Sequence, residues 1–336
     1  MAPSADILES TPKGDSAVLS LRKSLCSEDT PLPIRFRALF SLKHVAVTSS
    51  EDDNIVGAVD AIAAAFTSPS ALLKHELAYC LGQASHKSAV KPLREVLADL
   101  QQDPMVRHEA AEALGALGWA DNLDILFEYR DRKGEDVSIV ETCEIAIDRI
   151  EWESSEERKK EKLRQSDFSS IDPAPPMPET EEVDVADLGK KLMDTTRPLF
   201  VRYRAMFALR DLASPPDLPT AVPAVLALAE GLSDPSALFR HEIAFVFGQL
   251  SHPASIPALT ASLSDVNEAS MVRHEAAEAL GGLGEEEGVE ATLRLFLNDK
   301  EKVVRESCIV ALDIAEYENS GETEYALIPE VGGATA

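Results

Sequence analysis

The sequence predicts an all-α protein assembled from two copies of a short solenoid arm. A His-Glu dipeptide preceded by Lys or Arg occurs twice at a spacing of 33, at Lys74-His75-Glu76 and Arg107-His108-Glu109. The pair returns 166 residues later, at Arg240-His241-Glu242 and Arg273-His274-Glu275. Apolar residues around the motifs follow a helical period, as in Ala89 to Leu100, Leu123 to Tyr129, Ile256 to Leu263 and Val289 to Leu297, with no alternating strand pattern. A period of roughly 20 to 50 residues is that of helix pairs that bury their apolar faces only by stacking on their neighbours.

Taken in order, Phe36-Arg37-Ala38-Leu39-Phe40 opens the first half and answers to Tyr203-Arg204-Ala205-Met206-Phe207 in the second. The two motif repeats follow in each half. Glu141-Thr142-Cys143-Glu144 then closes the first, as Glu306-Ser307-Cys308-Ile309 closes the second. Each half thus reads as an arm of four helix pairs, with His-Glu only in the central two, and the pseudo-symmetric arms face one another. End repeats of a solenoid act as caps, so a polar dipeptide confined to the middle points to function. Ser68-Pro69, Asp103-Pro104 and Asp234-Pro235 offer helix starts, an N-cap followed by proline. Gly82, Gly115, Gly118, Gly248, Gly281 and Gly284 offer the stops. The expected organisation is an N-terminal arm over 1–152, an acidic, proline-containing linker over 153–189, a C-terminal arm over 190–320 and a disordered tail over 321–336.

Charge narrows the partners. With 32 Lys and Arg against 59 Asp and Glu, the formal charge of −27 disfavours nucleic acid, whose phosphates need a basic footprint, and an anionic membrane surface. It favours a solvated acidic surface or a cationic substrate. Four cysteines, Cys26, Cys80, Cys143 and Cys308, form no CxxC pair and suit a reducing compartment. The start carries no basic region followed by an apolar run, and no stretch approaches a membrane span. A cytoplasmic protein, with the nucleus as a second setting, is expected.

Four of the seven histidines fall in one register, each followed by glutamate, which a surface salt-bridge ladder explains poorly. Adjacent helical residues point about 100° apart, so a site must draw on several helices. Four imidazoles and four carboxylates suit two divalent ions, leaving open positions for water, dioxygen or substrate, and the carboxylate charge balances the ions. Nitrogen and oxygen ligands without thiolate favour iron or manganese over zinc. The zinc-protease pattern fails, because the residues four beyond each His are Tyr79, Glu112, Phe245 and Glu278. Glu112 and Glu278 lie one turn below His108 and His274 and are candidates to orient ligands, to hold a substrate amine, or to be plain solvated carboxylates. His86 and His252 read as turn or cap residues, His44 as exposed, and Cys80 as core.

The heptapeptide Arg107-His108-Glu109-Ala110-Ala111-Glu112-Ala113, repeated over Arg273 to Ala279, resembles the deoxyhypusine hydroxylases, HEAT-repeat enzymes with four His-Glu motifs in two halves. The resemblance covers roughly residues 30–152 and 190–318. It implies a HEAT-repeat α-solenoid in which His75, Glu76, His108, Glu109, His241, Glu242, His274 and Glu275 hold two Fe(2+) ions per chain. It also implies an O2-dependent monooxygenase that hydroxylates the deoxyhypusine side chain of eukaryotic initiation factor 5A to form hypusine, and the chain is expected to act as a monomer. Two alternatives stand beside it: a non-catalytic helical-repeat adaptor, and a helical-repeat lyase that attaches a chromophore.

Overall fold

The computed structural model describes residues 15–179 and 184–320; the disordered tail expected over 321–336 lies outside the described residues. The first half contains α1 (Ser16–Cys26), α2 (Leu32–Thr48), α3 (Asp52–Ala64), α4 (Ala71–Gln83), α5 (Val90–Ala98), α6 (Pro104–Ala116), α7 (Leu123–Arg130) and α8 (Val137–Ser154). A short α9 (Glu156–Lys160) follows. The second half contains α10 (Val185–Met193), α11 (Leu199–Leu212), α12 (Ala221–Glu230), α13 (Ala237–Leu250), α14 (Ile256–Ser264), α15 (Ser270–Gly281), α16 (Val289–Leu295) and α17 (Lys302–Ser320). Each half is four helix pairs, as the repeats predict, and the described residues form an all-helical α-solenoid.

The second helices of the pairs stack in the order α2, α4, α6, α8 and α11, α13, α15, α17. The stack closes on itself, because α8 packs against α11 and α17 packs against α2. The arms therefore meet at both ends, and the inner helices form a ring. The hydrophobic cores follow the halves but reach across the seams: Val310 joins the first core, and Met105 and Ile145 join the second. The seams also carry matched hydrogen bonds, with Ser70 Oγ donating to Glu306 at 2.9 Å and Ser236 Oγ donating to Glu141 at 2.6 Å.

One arginine recurs as a structural device. Arg35, Arg107, Arg202 and Arg273 are buried, and each donates from Nε to the carbonyl ten residues earlier, on Leu25, Leu97, Leu192 and Leu263, at 2.8–3.0 Å. That bond satisfies an end carbonyl of the preceding helix or its cap, and the guanidinium also meets an acid, Glu135 for Arg107 and Asp299 for Arg273. The basic residue before His-Glu in these repeats thus serves the fold. It fixes the start of the helix that presents the motif.

Two local expectations are corrected. The caps of α4 and α13 are Ser70 and Ser236, which accept from Leu73 N and Phe239 N, while Ser68 and Asp234 sit two residues earlier and brace the turn; only Asp103 caps its helix as expected. The glycines mostly are not stops. Gly82, Gly115 and Gly248 lie within helices, while Gly281 is the last residue of α15, and a Cβ on Gly115 would fall 2.6 Å from the Cβ of Ala146 on the next inner helix. Gly82, Gly115 and Gly281 let neighbouring inner helices touch, whereas a Cβ at Gly248 would meet only ordinary contact at 3.5 Å, and Gly118, at φ +71°, alone among the six ends a helix in the left-handed conformation. Gly115→Ala should therefore destabilise the protein by about 1–3 kcal/mol despite alanine's better helix propensity, because α6 must move from α8. Denaturant unfolding measures this.

The segment between the halves is not slack. Backbone pairs Arg164 N to Met177 O (3.0 Å) and Glu179 N to Lys162 O (2.8 Å) pin the base of a loop, and Asp172, Ala174 and Met177 within it are buried. This strap lies over the C-terminal ends of inner helices. Gln83 of α4 exchanges two bonds with the Ile171 backbone, Gln249 of α13 donates to Ser170, and Arg210 of α11 pairs with Asp172 at 2.9 Å.

Candidate metal centre

Ring closure carries the four His-Glu dipeptides, two from each half, to one place. The four imidazoles form a cluster, with His75 5.4, 5.6 and 5.1 Å from His108, His241 and His274 between ring centroids, and His241 5.3 and 5.4 Å from His108 and His274. All four histidines and all four partner glutamates are buried. The helical repeat explains the convergence. Residues at one register of successive inner helices line the same side of the stack, and a closed ring has only one inside.

The pseudo-two-fold relation extends to contacts. His75 Nε2 lies 3.3 Å from Glu109 Oε2, and His241 Nε2 lies 3.3 Å from Glu275 Oε2. In each half, then, the second glutamate reaches the first histidine. His241, His274 and Glu275 place ligand atoms within 4.8 Å of one another, as do His75, His108 and His241, and His108, Glu109 and Glu112. The two glutamates one turn on also face the cluster, with Glu278 Oε1 3.4 Å from His274 Nδ1 and accepting from Ser307 at 3.2 Å.

The donor set is suited to a cation. Buried polar atoms nearly always find hydrogen-bond partners. Here both ring nitrogens of His108, Nδ1 of His241, Nε2 of His274 and Oε1 of Glu242 have none, and Nε2 of His75 and of His241 each have only the carboxylate 3.3 Å away. Burial, and then the charge on neighbouring imidazoles, drives the pKa of His108 and His274 well down, so both rings are neutral, the form that binds metal. His75 goes the other way: burial opposes its charge, but the Glu109 and Glu76 carboxylates outweigh burial and hold its pKa well up. Burial also lifts Glu112, Glu242 and Glu278 far above the usual carboxylate range, and the surrounding carboxylates lift them further. Imidazole nitrogens without hydrogen-bond partners, among more buried carboxylates than the single raised imidazole can balance, are together the electrostatic signature of a multivalent cation site.

Beside the cluster lies a cavity of about 320 Å³ bounded by α2, α4, α6, α13, α15 and α17. His75, Glu76, Glu109, Glu112, His241, Glu242, Glu275 and Glu278 form its floor, and Phe40, Lys43, Tyr79, Phe245 and Ile314 are among its other lining residues. Nothing in the sequence marks those last five as site residues beyond the shared register of Tyr79 and Phe245 in the 166-residue duplication. The other candidates lie apart. His86 and His252 cap short 3-10 turns, accepting from Ser88 N and Ala254 N, and His44 is exposed. Cys80 is fully buried, and burial keeps its thiol protonated.

A closed helical-repeat ring with buried, metal-competent His and Glu side chains beside a cavity defines a repeat-protein metalloenzyme class. Comparison with known proteins narrows it. The HEAT-repeat family model matches residues 59–140 and 225–313. A deoxyhypusine hydroxylase of Gibberella zeae is 78% identical over the whole of both chains, and one of Aspergillus clavatus is 66% identical, again over the whole of both. The solved human deoxyhypusine hydroxylase, in complex with glycerol, superposes with a TM-score of 0.79 at 46% identity, covering 89% of this chain and 96% of that one. The chain belongs to the deoxyhypusine hydroxylase family. It is an enzyme, a monooxygenase, and not the adaptor that its repeats alone would also allow.

Proposed function

We propose that the His-Glu cluster holds two ferrous ions and that the enzyme hydroxylates the deoxyhypusine side chain of eukaryotic initiation factor 5A, with O2 as co-substrate. The observation that carries this reading is the set of buried imidazole nitrogens without hydrogen-bond partners, drawn from both halves. The matched contacts support one ion held by His75, His108 and Glu109, the other by His241, His274 and Glu275, with Glu76 and Glu242 completing the eight. Four carboxylates balance two divalent charges, so the loaded site carries little net charge into the interior. When bound, ferrous iron would supply dioxygen activation, one oxygen atom entering a substrate C–H bond and the other leaving as water with two protons and with two electrons that an external reductant restores to the metal.

The chain's own residues bind and orient. Deoxyhypusine ends in an aminobutyl group, a cation on an apolar stem. Glu112 and Glu278, on the floor of the cavity, offer carboxylate oxygens for the amine. The rings of Tyr79 and Phe245, packed edge to face at 5.9 Å, offer an apolar wall for the methylenes. Burial of the histidines and glutamates keeps bulk water from the reacting carbon. Ring closure within one chain supports action as a monomer. Four cysteines without disulfides support a reducing setting, the cytoplasm with the nucleus as a second site, and no helix among the described residues is long and apolar enough to cross a membrane.

Ferrous reconstitution followed by metal analysis and an aerobic assay on deoxyhypusine-containing protein tests the reading. About two irons per chain and conversion to hypusine are expected. Iron well below that, or conversion that survives chelation, would overturn it.

A further inference from the structure

The duplication relates more than the metal motifs. Lys43 of α2 stands at the position that Arg210 occupies in α11, just as Phe40 answers to Phe207, Tyr79 to Phe245 and Gln83 to Gln249. In the second half this position is filled. Arg210 is fully buried, pairs with Asp172 of the strap at 2.9 Å, accepts no solvent contact, and stacks over Phe168 of the strap and Phe207 of its own helix at 4.3 and 4.9 Å. Gln83 meanwhile holds the strap's main chain at Ile171, its amide nitrogen donating to the carbonyl and its amide oxygen accepting from the N–H. The strap is thus an extended acidic segment bound by a cation, an aromatic ring and a glutamine amide.

In the first half the same position is open. Lys43 is half-buried, its Nζ lies 5.0 Å from the ring centre of Phe40 and 5.4 Å from that of Tyr79, and no carboxylate among the described residues pairs with it. It lines the 320 Å³ cavity that leads to the His-Glu cluster, along with Gln249 and Ile314. At the place of Ile314 the strap side has Arg149, which donates to the Asp172 carbonyl. A cation that lines the same cavity as six glutamates, yet rests on two aromatic rings and pairs with none of them, is not serving as their counter-ion.

We infer that the open half of the ring is the docking groove for the substrate protein's main chain. An extended segment flanking the modified lysine lies over Phe40 and Tyr79, and it presents a carboxylate or carbonyl oxygen to Lys43 as the strap presents Asp172 to Arg210. The strap occupies one of two related grooves, and the substrate takes the other, with its aminobutyl group directed to the floor. This rests on the substrate proposed above and adds where its backbone sits.

The sign of a charge change at Lys43 decides the matter. If the cavity receives only the cationic side chain, Lys43 repels it, and Lys43→Glu should lower KM. If Lys43 docks the main chain, Lys43→Glu should raise KM for the deoxyhypusine-containing protein about tenfold, the effect of losing about 1.4 kcal/mol, with Lys43→Gln intermediate and Lys43→Arg near wild type. Iron per chain and the thermal midpoint, measured on the same samples, should match wild type, which separates docking from folding. A KM that falls or does not move overturns the inference. Failure of the wild-type enzyme to convert the protein would instead overturn the function on which it rests.

Discussion

His108→Ala is expected to cut hydroxylation by about a thousandfold or more and to lower bound iron, while helical content and the ring survive. A residue that merely orients a metal ligand costs about ten- to a hundredfold, so loss of a ligand itself should exceed that. The fold should tolerate the change because the His108 ring is fully buried and neither nitrogen has a partner, so no intramolecular hydrogen bond is lost. The neighbouring Arg107→Ala makes the contrast. Arg107 bonds to Leu97 O at 2.9 Å and to Glu135 at 2.7 and 2.9 Å with both side chains buried, and removing one partner of such a pair costs about 3–5 kcal/mol. Two adjacent residues should therefore divide cleanly. Compared as metal-free proteins, His108→Ala should unfold at nearly the midpoint of wild type although it has lost iron uptake and turnover, whereas Arg107→Ala should have lost stability. If His108→Ala retained full iron and turnover, or if its metal-free form unfolded as readily as metal-free Arg107→Ala, the metal assignment would fail.

That division also marks how far the sequence could be read. The eight His and Glu positions were legible because a duplicated repeat turns chemistry into periodicity: an ionisable pair at one register of a stack has no packing reason to recur. Four helix pairs per half followed from the same spacing. The role of the preceding arginine was not legible, since its carbonyl partner ten residues upstream lies across a turn whose geometry the repeat does not encode. The glycines misled because helix stops and tight helix crossings call for the same residue. At Gly82 and Gly115 the demand comes from Ala113 and Ala146 on the next helix, a contact between residues 31 apart in sequence. The strap was hidden for a related reason. Asp172 to Pro178 has the composition of a free linker, and only the closed ring, with Arg210, Gln83 and Gln249 waiting at its edge, gives that segment somewhere to bind. Closure of the ring is likewise a property of the accumulated repeat rotation. It breaks the two-fold symmetry at one seam: Arg37 forms a two-bond pair with Asp313 at 2.9 Å, while its counterpart Arg204 is taken by Glu161 and the Pro176 carbonyl.

Stripping the metal should make the protein less stable, and the loss should grow with pH. Without a cation, burial first and neighbouring carboxylates second raise the pKa of Glu112, Glu242 and Glu278 well above their ordinary value of 4.5. A carboxyl raised on folding binds a proton in the folded state, so its contribution is present in acid and is lost as pH climbs from about 4.5 through the folded value. His75, raised above 6.5, has the same sign, and its contribution fades above 6.5. His108 and His274 are depressed below 6.5, so their effect runs oppositely, but only below that pH; above it they are neutral folded or unfolded. Beyond pH 6.5 every remaining term in the cluster therefore falls. A bound cation reverses this, because its ligands must be deprotonated and metal binding releases protons as it stabilises the fold. At free iron about a thousand times its dissociation constant the stabilisation is about 4 kcal/mol, roughly 6 °C in thermal midpoint for a chain of this size. Thermal melts of chelated and iron-loaded protein under anaerobic conditions, from about pH 6.5 to about pH 9, should show a gap between the two forms that widens with pH. A gap that is absent, or that closes as pH rises, would mean that the buried glutamates are not compensated by metal, and with that the electrostatic case for the centre would be lost.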